Sequence, residues 1–375
     1  MKILHTSDLH LGKKLLEESF YEDQKYILDE IIKIIEEEKV DAVLIPGDIY
    51  DKNIPSIEAV NLFNDFLNKL SNLKVETFIT SGNHDSNDRL SFGSNLFNKL
   101  NIHIETEYNG KLAKYSIEDV DIYMLPFIKP FYLKGLMSEE EYSKIENPTD
   151  MMKWIIQNED IDKNRKNILM LHQFVINQGE NLETSDSESI INVGTLDSID
   201  VNTLDVFDYV AMGHIHGPQK VKRETVRYSG TPLKYSFSEV NQNKSVVILD
   251  TEDMSIDLVP LKPLRNLKVI RGNFEDIMEM QPCDDLIRVE LLDDATSIIS
   301  PMENLKRRFK NAISLAFIDK NYNSEEVLNT ENLLVEEKNP IEIFGEFFLK
   351  QNSRKLTEEE NKILKDVIDE IEGEK

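Results

Sequence analysis

The positions of the histidines most limit what this chain can fold into. Five of the seven, His10, His84, His172, His214 and His216, fall just after short runs of Ile, Val, Leu or Met. Those runs are residues 2–4, followed by Asp8 and His10; 42–45, followed by Asp48; 77–79, followed by Asn83 and His84; 168–171, followed by His172; and 209–212, followed by His214 and His216. Short apolar runs ending in polar clusters read as buried strands. Residues 20–38 carry Ile27, Ile31, Ile34 and Ile35 at helical spacing, and residues 56–70 carry Val60, Phe63 and Leu67 in the same way. Strands alternating with helices imply an α/β sheet. Such a sheet gathers its ligands just past the carboxyl ends of its strands, where these polar clusters stand.

The clusters suit divalent metals. Asp8 and His10 lie two residues apart, as do His214 and His216, so each pair projects two donors from one short loop; Asp48 and Asn83 add oxygens and His172 a further imidazole. Two ions sharing such donors clamp the attacking and leaving oxygens of a phosphoryl displacement. Carboxylate, amide and imidazole without thiolate favour manganese over a structural zinc site. Singly, each cluster has a plainer explanation. A lone Asp-x-His or strand-end histidine is commonly a satisfied core group, and Gly47-Asp48 alone is a turn. Their conjunction carries the argument. His5 and His103, left over, read as structural.

Composition narrows the class. A chain of 375 residues with 40% hydrophobic content holds one large core and smaller satellites. A formal charge of −27 gives no overall basic footprint for nucleic acid, so any affinity for a polyanion such as DNA would have to be local or come from a partner. One cysteine, Cys283, makes no internal disulfide, and residues 1–12 lack the pattern of a secretion signal, which leads us to expect a cytoplasmic protein. No apolar run approaches the ~18 residues of a membrane span.

After His216 the pattern turns β-rich. Residues 225–228, 245–249 and 255–261 are expected to close a second sheet. Pro260, Pro263 and the strand-like 267–270 mark a boundary, giving a catalytic domain over 1–262 and a small αβ capping domain over 263–320. The clearest capping-domain helix opens at Ser300, Pro301 and Glu303, the signature of a capping box. An acidic linker, 321–338, leads to two amphipathic helices over 339–375. The first carries Ile341, Phe344, Phe347 and Phe348; the second opens at Thr357 and Glu360 and carries Ile363, Leu364, Val367, Ile368 and Ile371. Such helices suit docking on a coiled-coil partner. Lys220, Lys222, Arg223 and Arg227 follow the last donor loop and are candidates for binding DNA. A second group, Lys306, Arg307, Arg308 and Lys310, reads equally well as a solvated helix face.

The order Asp-x-His, Gly-Asp, Gly-Asn-His-Asp, His, Gly-His-x-His resembles the calcineurin-like metallophosphoesterase family, whose fold is a double β-sandwich flanked by helices. Residues 5–12 (HTSDLHLG), 194–197 (GTLD), 213–216 (GHIH) and 227–232 (RYSGTP) resemble the bacterial double-strand-break repair nucleases within it. This likeness implies one metal on Asp8, His10, Asp48 and His216, a second on Asp48, Asn83, His172 and His214 with Asp48 bridging, and His84 as a catalytic group. It implies a manganese-dependent exonuclease and endonuclease acting on double-stranded DNA ends or hairpins in repair, recombination and replication. Its partner would be an SMC-like coiled-coil ATPase bound through 339–375. It also implies a homodimer through 56–70 and 89–100, for which Leu62, Phe66, Leu96 and Phe97 offer apolar side chains. Archaeal and eukaryotic members usually carry a histidine where this chain has Asp51, so the bacterial type is expected. Related metallophosphatases have an aspartate at this spacing that pairs with the motif histidine. Asp51 is therefore expected to hold the His84 ring through its carboxylate, so that losses at the two positions do not multiply. Two other readings compete: a phosphomonoesterase or cyclic-nucleotide phosphodiesterase, which needs no capping domain, and a scaffold without metals, which would not keep every donor.

Overall fold

Side chains on a strand alternate faces, and here the alternation sorts the apolar runs into three layers of core. A computed structural model describes residues 1–177, 182–188, 198–294, 297–318 and 357. The strands β1 (Lys2–His5), β2 (Ala42–Pro46), β3 (Glu76–Thr80) and β4 (Ile102–Glu105) lie parallel in one sheet. A second sheet contains β5 (Ala113–Ile117), β6 (Val120–Leu125), β7 (Lys166–His172), β8 (Tyr209–Gly213), β9 (Gln219–Val221) and β10 (Arg223–Tyr228). Its order is β9-β10-β8-β7-β6-β5, parallel except at the two edge hairpins. The chain then returns through β11 (Ser245–Asp250) and β12 (Ser255–Pro260), which complete the first sheet antiparallel beside β1.

Ile3, Leu44, Phe78, Ile122, Met170, Ala211 and Leu249 meet between the sheets. Their neighbours in sequence face outward to helices. Leu4, Val43 and Ile45 pack under α1 (Tyr21–Glu38) and α2 (Ile57–Leu73), while Leu169, Leu171, Val210 and Met212 pack under α3 (Pro148–Gln157). The architecture is the double β-sandwich flanked by helices that the resemblance implied. A single α/β sheet is thereby corrected: β1, β2 and β3 belong to one sheet, β7 and β8 to the other. Nor do 245–249 and 255–261 build a new sheet, because β11 finds its free edge on β1.

Two sequence expectations for helices change. Leu62 and Phe66 are 5% and 2% exposed, spent on the core beneath α2, so they offer no interface; Leu96 is 66% exposed and Phe97 packs partly against that core. The capping box at Ser300 does not form. Ser300 takes a left-handed conformation, φ 49°, rather than the extended one that aims an N-cap hydroxyl at the first turn, and Pro301 alone opens the helix.

The capping region has its own parallel sheet, β13 (Leu267–Gly272), β14 (Leu286–Leu291) and β15 (Ala312–Phe317), covered by α4 (Phe274–Glu279) and α5 (Pro301–Arg308). The chain divides into units Met1–Phe317 and Ile318–Lys375. The linker and the two terminal helices expected over 321–375 lie outside the described residues, apart from residue 357.

Arg265 joins the capping region to the sandwich. Its guanidinium grips both carboxylate oxygens of Asp23, at 2.5–3.2 Å, and Glu18 at 2.7 Å. Asp23 is fully buried in the first turn of α1. Removing one member of such a pair strands the other's charge. Arg265→Ala should lower unfolding stability by about 3 kcal/mol, and adding Asp23→Asn should recover part of that loss. Chemical denaturation of the three variants measures this; an Arg265→Ala midpoint equal to wild type would refute it.

Candidate metal centre

The strand ends of both sheets converge on one place. The turn after β1 brings Asp8 and His10, that after β2 Asp48, and that after β3 Asn83 and His84, while β7 ends on His172 and β8 leads into His214 and His216. Asp8, His10, Asp48 and His214 have φ of 54°, 44°, 51° and 99°. Positive φ at non-glycine residues costs roughly 1–3 kcal/mol each and persists only where the surroundings over-determine it. Here they do. His10 N–H donates to the Asp48 carbonyl at 3.0 Å, and His214 N–H to the Asp8 carboxylate at 2.9 Å. The buried Gln24 amide donates to the His10 carbonyl at 2.7 Å and accepts from Gly12 N–H at 3.0 Å.

The donor atoms face one another at short range. His10 Nε2 lies 3.1 Å from His216 Nε2 and 3.6 Å from Asp48 Oδ2. The same Asp48 Oδ2 lies 3.4 Å from His172 Nε2. Asn83 Oδ1 lies 3.1 Å from His172 Nε2 and 3.0 Å from His214 Nδ1. Asp8, His10 and His216 form one group of atoms within 4.8 Å of one another, and Asp8, Asp48 and His172 another. Asp48 thus stands between two sets of imidazoles.

Hydrogen bonds behind the rings turn their lone pairs inward. His172 Nδ1 donates to the Pro46 carbonyl at 2.9 Å, so that Nε2 is the ring nitrogen turned toward Asp48 and, in the neutral ring, the one whose lone pair would take a metal. His216 Nδ1 meets Ser187 Oγ at 2.6 Å, which donates to Glu239 at 2.5 Å; Lys244 Nζ holds the other Glu239 oxygen at 2.7 Å. None of these three supports was foreseen from the sequence. Glu239 stands 23 residues beyond His216 (239 − 216), so no local spacing links them.

The electrostatics call for a cation. Burial raises the Asp8 carboxyl above its usual range, and neighbouring Asp48 adds to it. Burial works upward on Asp48 too, but His172, His10 and His84 outweigh it and hold that carboxyl well below its usual range. Burial opposes charge on His172, yet Asp48, Asp8 and the Pro46 carbonyl raise it to about 9. Burial and then His172 push His214 down to about 3. His10 Nδ1 is buried without a hydrogen-bond partner. Imidazole nitrogens and the amide and carboxylate oxygens beside them, 3.0–3.6 Å apart, match the edge of a coordination shell with bonds near ~2.1 Å. The donors present therefore fit divalent metal.

Asp51 requires a correction. His84 Nδ1 donates to the main-chain carbonyl of Asp51 at 2.9 Å. The Asp51 carboxylate instead pairs with Lys13 Nζ at 2.8 Å and lies 3.8 Å from His10 Nδ1. It backs His10 rather than the His84 ring. The proposed DNA-binding residues are also committed elsewhere. Lys220 pairs with Glu224, Lys222 with Asp205, and Arg223 with the carbonyls of Phe207 and Asp208; Arg227 is 5% exposed beside Glu224. The expectation for His5 and His103 agrees with their partners, Tyr209 and Met212 for the first, Glu76 and Asn98 for the second.

Two glycines make the close approach possible. A Cβ on Gly47 would fall 2.2 Å from His172 Nδ1, and one on Gly82 would fall 2.1 Å from Asp48 Oδ1. Gly82→Ala should therefore weaken divalent-metal affinity about tenfold or more while the circular dichroism spectrum is unchanged. Calorimetric titration of the metal-free protein reads this directly, and wild-type affinity would refute it.

Comparisons with known proteins show the family. Residues 1–218 match the calcineurin-like phosphoesterase family, and residues 263–352 match the type 5 capsule protein repressor C-terminal domain. A curated relative, the SbcD component of nuclease SbcCD from Staphylococcus epidermidis, is 36% identical over 330 residues, covering 84% of this chain and 85% of that protein. Solved structures that match in part include Yfce, a phosphoesterase from E. coli, at 13% identity over 70% of this chain and 100% of that one with TM-score 0.29. A dimetal phosphatase from Danio rerio matches at 12% identity over 66% and 91%, with TM-score 0.37. The chain belongs to the calcineurin-like phosphoesterase family, in the branch that includes the SbcD nucleases.

Proposed function

We propose that this chain is the nuclease subunit of an SbcCD-type complex: a divalent-metal-dependent phosphodiesterase that hydrolyses DNA in repair and recombination. The observation that carries this reading is the single Asp48 oxygen lying 3.6 Å from His10 Nε2 and 3.4 Å from His172 Nε2. One metal would be held by Asp8, His10, Asp48 and His216, and a second by Asp48, Asn83, His172 and His214. Mn(II) suits the mixed oxygen and imidazole donors. Bound there, the pair supplies a hydroxide at neutral pH and neutralises charge on the phosphoryl oxygens.

The chain's own groups do the rest. Nδ1 of His84 is held by the Asp51 carbonyl, and Nε2 lies 4.0 Å from Asp48 Oδ2. In its protonated form it donates a hydrogen bond to charge developing on the phosphate or on the leaving alkoxide. Asn83 and His84 are consecutive, so the residue that takes metal also fixes the reach of the one beside it. The Asp51 carboxylate stands 3.8 Å from His10 Nδ1 and is balanced by Lys13.

Residues 339–375 are proposed as the docking segment for a coiled-coil ATPase. A homodimer would use Ile57, Phe92, Leu96 and Leu100, which are 77%, 84%, 66% and 50% exposed. No helix among the described residues is long and apolar enough to cross a membrane, and the proposed site of action is the cytoplasm. Light scattering should give a dimer mass that Phe92→Glu halves, and deletion after Lys338 should abolish capture of the ATPase while sparing nuclease activity. A monomeric wild type, or capture by the truncated chain, would refute the respective assignment.

The chemistry is tested by two substitutions. His84→Ala should lower kcat about 100-fold or more with metal content unchanged. Asp51→Asn keeps the main-chain carbonyl and so should weaken metal affinity instead. Acting on different groups, the two losses in kcat/KM should multiply in the double variant. A double variant no worse than His84→Ala would reinstate a shared carboxylate–imidazole unit. Full DNA cleavage in saturating EDTA would overturn the metal mechanism itself.

A further inference from the structure

A cavity of about 720 Å³ opens beside the donor cluster and shares Asn83, His84 and His214 with it. That volume is the size of site that encloses a nucleotide-sized ligand. Its other walls are of a different kind. Phe127 and Phe174, both half-exposed, flank the His214 ring at centroid distances of 6.4 Å, with Phe127 nearly parallel to it at 23°. Lys52 and Lys129 stand exposed in the lining, and neither makes an ion pair among the described residues. Among the described residues no carboxylate lines the cavity, in a chain with 70 acidic residues.

The walls are fixed in advance. Phe127 N–H donates to the Ser81 carbonyl at 2.9 Å, tying it to the chain just before Gly82 and Asn83. The Gln173 amide donates to the Ile128 carbonyl at 2.7 Å, joining the segment that carries Phe127 to the one that carries Phe174. One residue beyond Pro130 of the lining, Phe131 and Tyr132 stack on each other at 4.3 Å and are 58% and 51% exposed.

We propose that this cavity is a stacking subsite for a single unpaired nucleobase next to the scissile phosphate. The inference rests on the phosphodiesterase reading above. Phe127 and Phe174 supply ring faces, while Lys52 and Lys129 meet the phosphates on either side. A base within a duplex has both faces covered by its neighbours, so it engages an aromatic wall only after leaving the stack. Stacking of this kind tolerates any base, because each presents a π-face, and the two lysines add affinity that salt screens. The subsite therefore selects for a strand splayed at the cut, and selects little for sequence.

The test compares oligothymidylate with an abasic phosphodiester of equal length. Wild-type protein loaded with Mn(II) should cleave the abasic polymer with roughly tenfold lower kcat/KM, and anisotropy on the metal-free protein should show the weaker binding without turnover. In a Phe127→Leu/Phe174→Leu variant the two polymers should become equivalent, with metal content measured alongside to show the donor cluster intact; Phe127→Trp should keep the preference. Equal cleavage of both polymers by wild type, or a preference that survives loss of both rings, overturns the subsite. Cleavage of neither polymer overturns the phosphodiesterase reading, and the subsite with it.

Discussion

Two buried carboxylates set the terms for the rest of this molecule. Asp8 is fully buried and Asp48 is 2% exposed, and a carboxylate taken out of water needs opposing charge close by. The protein supplies imidazoles, which remain partial compensators because burial itself drives His10 and His214 toward their neutral forms. What completes the balance is a cation between the donors. The same physics then explains the tautomers. Each supported ring, His172 on Pro46 and His216 on Ser187, has its outer nitrogen occupied, so its inner lone pair is available to metal.

Holding those donors together strains the chain locally, and the sandwich is built to absorb it. Left-handed backbone at Asp8, His10, Asp48 and His214 is offset by hydrogen bonds between the turns themselves and by Gln24 reaching in from α1. Gln24 sits next to Asp23, the residue that Arg265 grips from the capping region. One helical turn therefore carries both the joint with the capping region and the brace of a metal-facing loop.

The charge of the molecule is distributed with the same economy. A net −27 repels a polyanion at long range, so the site depends on short-range contacts. Several plausible cations are neutralised by acidic neighbours, as Lys222 is by Asp205 and Lys220 by Glu224. Lys52 and Lys129 escape this because their surroundings are aromatic and aliphatic rather than acidic. Lys52 and Lys129 thus place positive charge without an acidic partner, among the described residues, at the cavity that adjoins the metal donors.

The sequence by itself determined which residues would meet. Runs of Ile, Val and Leu that end in Asp8, Asp48, Asn83, His172 and His214 specify buried parallel strands, and parallel strands deliver their carboxyl ends to one side whatever the sheet count. It could not say that those strands belong to two sheets, because alternation identifies a strand's two faces without identifying what covers them. The second ring of support was equally invisible. Glu239, Lys244, Gln24 and Ser187 reach the centre across long stretches of chain, and a buried glutamate looks like any other glutamate until its partner is placed. Asp51 shows the limit most clearly. Spacing put it beside His84, but the turn aims its carbonyl at that ring and its carboxylate at His10 and Lys13. The cations of the 220–227 segment show the same limit, since sequence lists charges and only tertiary structure places Glu224 beside Lys220 and Asp205 beside Lys222.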